Sequence, residues 1–131
     1  MNMIKKVSLI VLITGYLAAG INHFRNPASY LNIIPGYIPY PITANMVSGV
    51  LEILFALLLI LPKTRFYAAW GIILLLVAFL PVHIDMIANA PLKLGTLTVT
   101  PLLAWLRLLL QPVLMLWAWW HTRPYAAQKN N

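Results

Sequence analysis

The chain has 131 residues, 62% of them hydrophobic and 8% charged, with no cysteine. A soluble domain of this size cannot hide that much apolar surface, which leaves an integral membrane protein of one domain. The net charge is +7, but the basic residues sit at segment ends rather than in a stripe interleaved with aromatics, so no nucleic acid is expected as a partner. Without cysteine there are no disulfides, thiol relays or Cys-ligated iron–sulfur or zinc sites.

Four apolar stretches follow one another, at about residues 7–24, 43–61, 66–87 and 101–120. Each is close to the ~20 residues a helix needs to cross a bilayer. In lipid the backbone must satisfy itself, so helices are the form expected. The expected fold is all-α: an antiparallel four-helix membrane bundle over residues 1–131, with a short interfacial segment between the first and second helices. The first stretch follows Lys5 and Lys6 like a signal peptide. It is long for such a segment, however, and Asn22-His23-Phe24 continues it without a clear cleavage site.

The connection from Arg25 to Pro41 is too apolar for a free loop and too rich in proline for a long helix, so it is expected to lie across one end of the bundle. Pro62-Lys63-Thr64-Arg65 reads as a tight turn that makes the second and third helices antiparallel neighbours. Ala90 to Thr100, with Gly95 and alternating Thr and apolar residues, reads as a small hairpin. Lys5, Lys6, Lys63, Arg65, Arg123 and Lys129 fall on one side of the threaded helices, and Arg25 and Lys93 on the other. That asymmetry puts both termini in the cytoplasm, with Trp119, Trp120 and Tyr125 marking the inner interface.

The two acidic residues, Glu52 and Asp85, both lie inside apolar segments, and Arg107 lies in another. Charges at that depth are costly, so they mark the region where function is sought. By depth, His23, Glu52, His83, Asp85 and Arg107 share one layer in the middle and outer half of the bundle. Asn45, Ser48, Gly49, Glu52 and Ala56 form a small, polar stripe on the second helix. Ala104, Arg107, Gln111 and Ala118 form one on the fourth, and Gly15, Ala19, Asn22 and His23 lie near one face of the first. On the third, Asp85 shares a face with Ala68, Gly71 and Ala78, while Pro81 disturbs the turn before it.

A Glu52–Arg107 pair is therefore expected at the core, with Gln111 adding hydrogen bonds. The candidate pocket is His23, Glu52, His83, Asp85, Arg107 and Gln111, open to the outer side and covered by the Pro/Tyr-rich segment. Equally, such a pair can do no more than fix helix register. Two histidines without further ligand spacing are weak grounds for a metal or a haem, and no metal site is assigned. Tyr30, Tyr37 and Tyr40 could flank a quinone headgroup, but an interfacial aromatic belt accounts for them more simply. No phosphate loop, nucleophile elbow or metalloprotease motif is present, and no catalytic residue is assigned.

Several short pieces in order carry a family resemblance: Ala19-Gly20-Ile21-Asn22-His23-Phe24 with Pro27, Ile34-Pro35, Ile38-Pro39, and Ser48-Gly49-Val50-Leu51-Glu52. They continue through Leu61-Pro62-Lys63-Thr64-Arg65, Phe79-Leu80-Pro81-Val82-His83-Ile84-Asp85-Met86, and Leu106-Arg107-Leu108-Leu109-Leu110-Gln111-Pro112 with Trp117. In these the chain resembles the DoxX-like family of small four-helix bacterial membrane proteins. It departs at His83, where relatives often carry Asn, and at Leu109, where they often carry Pro.

The resemblance implies a multi-pass protein of the bacterial plasma membrane. It also implies a link to quinone-dependent oxidation or oxidative stress in some members and to receptor assembly in others. One expectation is thus a redox-associated component that binds a quinone or similar lipophile. Arg107 and Gln111 would hydrogen-bond its carbonyl and Glu52 or His23 would exchange a proton, with a partner membrane or redox protein supplying the electron carrier. The alternative is a non-catalytic module that stabilises a partner complex. Transport is a weaker third reading, because four helices leave room for a pathway only in a homo-oligomer.

Overall fold

The computed structural model describes residues 2–94 and 96–123; Tyr125, Lys129 and Gly95, named above, lie outside them. The elements are α1 (Met3–Arg25), α2 (Pro27–Leu31), α3 (Pro41–Ile60), α4 (Pro62–Ala78), α5 (Leu80–Asn89), strands β1 (Leu92–Leu94) and β2 (Leu97–Val99), and α6 (Pro101–Trp120). Four helical segments are long and apolar enough to cross a membrane: Met3–Arg25, Pro41–Ile60, Pro62–Asn89 and Pro101–Trp120.

Proline sets most helix starts. Pro27, Pro41, Pro62 and Pro101 each open a helix, where a fixed φ is an advantage and the missing N–H costs nothing. Asn2 caps α1 by accepting from the Lys5 N–H at 2.8 Å, and Thr100 caps α6 by accepting from Leu103 at 3.3 Å. The α3–α4 connection is tighter than expected. Pro62 to Arg65 form the first turn of α4, and only Leu61 stands between the helices. Arg65 explains how so short a joint is tolerated. Its guanidinium is buried and donates to the carbonyls of Leu59 (2.8 Å) and Ile60 (3.0 Å), which the end of α3 leaves without helical partners.

Neighbouring helices run antiparallel. α1 packs on α3, α3 on α4 and α4 on α6. The ring closes where the Trp117 Nε1–H of α6 donates to Ser8 Oγ of α1 at 2.7 Å. α1 and α3 approach most closely at two glycines: a Cβ on Gly20 would lie 2.9 Å from the Gly49 carbonyl oxygen, and one on Gly49 3.0 Å from that of Gly20. The face of α1 that packs is Leu9, Leu12, Gly20 and His23. Gly15 is exposed with nothing near it, so the stripe expected through Gly15 is displaced by part of a turn. Of its four buried residues two are leucines and only Gly20 is small.

The third apolar stretch is two helices. α4 ends at Ala78, Phe79 caps it, and α5 restarts with Pro81 in its first turn. Proline removes the N–H that would have continued the ladder. At the break the Gln111 side chain of α6 donates to the Leu76 carbonyl at 3.1 Å, fastening the two helices.

Two apolar clusters result. One gathers Leu9, Leu12, Leu59, Ala68, Ala69, Ile72, Leu76 and Ala118 toward the end that carries the chain termini. A smaller one, Met86, Val99 and Ala104 with Ile33, Val82 and Leu92 around it, lies at the opposite end. There the hairpin pairs Leu92 with Val99 and Leu94 with Leu97. Outside these clusters, large apolar side chains such as Val50, Leu57, Leu74, Leu109 and Leu116 stand exposed on the helix flanks.

Candidate functional site

Between the two clusters lies a cavity of about 470 Å³. That is the size of a small-molecule site. Its walls are mostly apolar, from Leu51, Leu75 and Val82 on the helices, Phe79 at the α4–α5 break, and Ile33, Ile34 and Ile38 on the segment after α2. His23, Tyr30, Asn45, Ser48, Glu52, His83 and Arg107 supply the polar lining.

The close crossing of Gly20 and Gly49 sets His23 against α3. There the Asn45 amide makes two contacts: its Nδ2 donates to the His23 backbone carbonyl at 3.0 Å, and its Oδ1 lies 2.7 Å from His23 Nδ1. The first contact fixes which end of the amide faces the ring, so Nδ1 carries a hydrogen and donates to Oδ1. The other ring nitrogen, Nε2, lies 3.3 Å from Glu52 Oε2, and both side chains are buried. That oxygen has no partner in hydrogen-bond geometry.

A bare carboxylate against a ring lone pair at this distance would set two negative ends together away from water. The pair therefore holds a proton, on the carboxyl or on Nε2, and is neutral as a unit. Tyr30 covers it: its ring stacks on His23 with centroids 3.9 Å apart at 19°, and its hydroxyl accepts from Asn22 Nδ2 at 2.8 Å. Burial pushes the Tyr30 phenol above its ordinary pKa, and the Asn22 hydrogen bond partly offsets this.

Arg107 reaches the cavity from α6, and its Nη1 donates to Gln111 Oε1 at 2.7 Å. The expected Glu52–Arg107 ion pair is not formed. Glu52 faces His23 instead, because the glycine crossing brings α1 nearer to Glu52 than α6 comes. Gln111 lies fully buried behind Arg107 rather than in the cavity lining.

His83 lines the cavity from α5, buried, with Nδ1 lacking a partner. Asp85 does not join it: it is half-buried and outside the lining. The face read through Ala68, Gly71 and Ala78 ends at the Phe79 break, so it does not extend to Asp85. Of the three tyrosines, Tyr30 lines the cavity, while Tyr37 and Tyr40 are exposed at 71% and 79%.

Asn45 was placed on the right stripe by its spacing, but its hold on His23 depends on a neighbouring helix that no local pattern reveals. Among the described residues no group of three metal-ligating side chains gathers.

A second polar cluster lies at the end with the termini. His121 is buried, with Nε2 3.0 Å from Ser8 Oγ. Burial, then the positive charges of Lys5 and Arg65, push its pKa down to about 4.

Fold and site together define a helical chain built around a cavity lined by apolar side chains and a few polar ones. Residues 12–122 match the family described as a domain of unknown function, DUF8561, and the chain belongs to that family. No curated protein and no solved structure matches it.

Proposed function

We propose that the chain is an integral membrane four-helix bundle whose cavity binds a small lipophilic molecule with a polar head. Its apolar body would lie along Leu51, Phe79 and Val82, and its head would meet Arg107 and the His23–Glu52 pair. The observation that carries this reading is the combination of a cavity of about 470 Å³ with an unpartnered buried atom on one of its lining residues, His83 Nδ1. Buried polar atoms without partners are rare in proteins, and a ligand oxygen or hydroxyl would satisfy this one.

A quinone headgroup is a ligand of this kind, and the DoxX-like resemblance supports a redox-associated role at a bacterial plasma membrane. A partner protein would supply the electrons, since nothing among the residues carries them. Lys5, Arg65 and Arg123 gather at the end with the termini, which supports cytoplasmic termini.

Gently purified protein should carry a quinone or other lipophile in its organic extract and should bind menadione saturably. Protein whose extract is empty and that binds no lipophile would refute the reading.

A second reading, a non-catalytic module that stabilises a partner complex, is favoured by the Arg107–Gln111–Leu76 chain, which fastens α6 to α4. The double variant Glu52→Leu with Arg107→Leu separates the two. If it folds and supports the cellular role, chemistry at the cavity is excluded.

A further inference from the structure

Charge accounting in the cavity defines the ligand further. The chain has two acidic side chains. Glu52 is balanced within its own pair by His23, and Asp85 lies outside the cavity lining. Tyr30 is a neutral phenol that accepts from Asn22, and Gln111, the hydrogen-bond partner of Arg107, is a neutral amide. Glu52 acts electrostatically on Arg107 as well, but its single charge is already matched by His23, so among the described residues the Arg107 guanidinium leaves the apolar-walled site with one net positive charge. An unpaired cation in such surroundings is costly, and a planar guanidinium fits a carboxylate with two parallel hydrogen bonds.

From this we infer that the cavity takes a lipophilic monoanion: a single negatively charged oxygen head on an apolar body, held by Arg107. The unpartnered Nδ1 of His83 is an independent sign of a missing oxygen ligand, and His83 lies close enough to Arg107 for the guanidinium to act on it electrostatically. The polar lining is built asymmetrically, with a neutral proton-holding pair supplied by α1 and α3 and a cation supplied by α6. A neutral lipophile would leave that cation unmatched. The inference rests on the lipophile-binding reading and sharpens it.

The test is a scintillation proximity assay on the full chain in detergent, with radiolabelled dodecanoate and, in parallel, radiolabelled dodecanol. Unlabelled dodecanoate, dodecanol and methyl dodecanoate serve as competitors. Dodecanoate should compete at least about tenfold more strongly than either neutral analogue, as expected for one charge-assisted contact. Arg107→Gln should abolish that preference, while Arg107→Lys, which keeps the charge and guards against a folding artefact, should retain most of it.

Equal competition by all three compounds would overturn the anion assignment and leave lipophile binding standing. So would a preference that survives in a monodisperse Arg107→Gln protein. Absence of saturable binding for both labelled compounds would overturn the two together.

Discussion

Replacing Gly49 with alanine tests the geometry on which the cavity depends. The added methyl would stand 2.8 Å from the His23 Cβ, 2.9 Å from the Phe24 ring and 3.0 Å from the Gly20 carbonyl oxygen. Two of these three atoms are backbone or fixed directly to it, so no rotamer change clears them. α1 and α3 must separate by roughly half an ångström to restore ordinary contact distances, and overpacking of this kind typically costs about 1–3 kcal/mol.

Alanine also favours a helix over glycine by roughly 0.8–1 kcal/mol, which conceals part of the loss. Gly15→Ala is the matched control, because nothing lies within 4 Å of the methyl it would add, and it should be neutral or mildly stabilising. The two variants should therefore differ by ~1–3 kcal/mol, since the propensity gain cancels between them. Thermal unfolding followed by circular dichroism in one detergent should put Gly49→Ala lower by several degrees. Equal melting temperatures would refute the close crossing, and with it the placement of His23 against Glu52.

Three further outcomes follow from the polar contacts. Asn45→Leu strands the His23 carbonyl and frees the ring, and should destabilise the fold by about 2–4 kcal/mol; nitrogen NMR of His23 should also lose the single Nδ1–H form, and an unchanged spectrum would exclude the Asn45 lock. Ser8→Ala removes the partner of both Trp117 and His121 and should cost ~1–3 kcal/mol with a shift in tryptophan emission, whereas an unaltered melting curve would deny the α1–α6 closure. For His121, the folded pKa of about 4 lies below the ordinary 6.5. The unfolded chain then binds the extra proton between those values, so stability falls as pH drops from about 6.5 toward 4 and is complete above that window. His121→Gln should flatten part of that acid slope in a melting-temperature series, and an identical slope would remove His121 from the account.

The four apolar segments were legible because the ~20 consecutive apolar residues of a spanning helix are a local property. The α3 stripe of Asn45, Gly49, Glu52 and Ala56 was legible for a similar reason: small and polar residues recurring at helical spacing stand out in an apolar background. On α1 only Gly15 was misplaced, since Ala19 and His23 line the cavity; the helix packs its first half through Leu9 and Leu12, which look no different in sequence from its exposed isoleucines and valines. Asp85 was misplaced by extending a helical phase across Phe79, where Pro81, two residues on, resets it. The Glu52–Arg107 pair was inferred from complementary charge alone. Which cation stands nearest the carboxylate depends on how closely two backbones approach, and that is decided by Gly20 and Gly49 acting together from separate segments.

The break at Phe79 divides more than a helix. The apolar cluster on the α4 side of the break and the one on the α5 side share no buried residue, and the cavity is the seam between them. The lining that α5 supplies, Val82 and His83, is thus seated in a different core from the Leu9–Leu76 cluster that holds the other end together, so a substitution in one core can be repacked without disturbing the other.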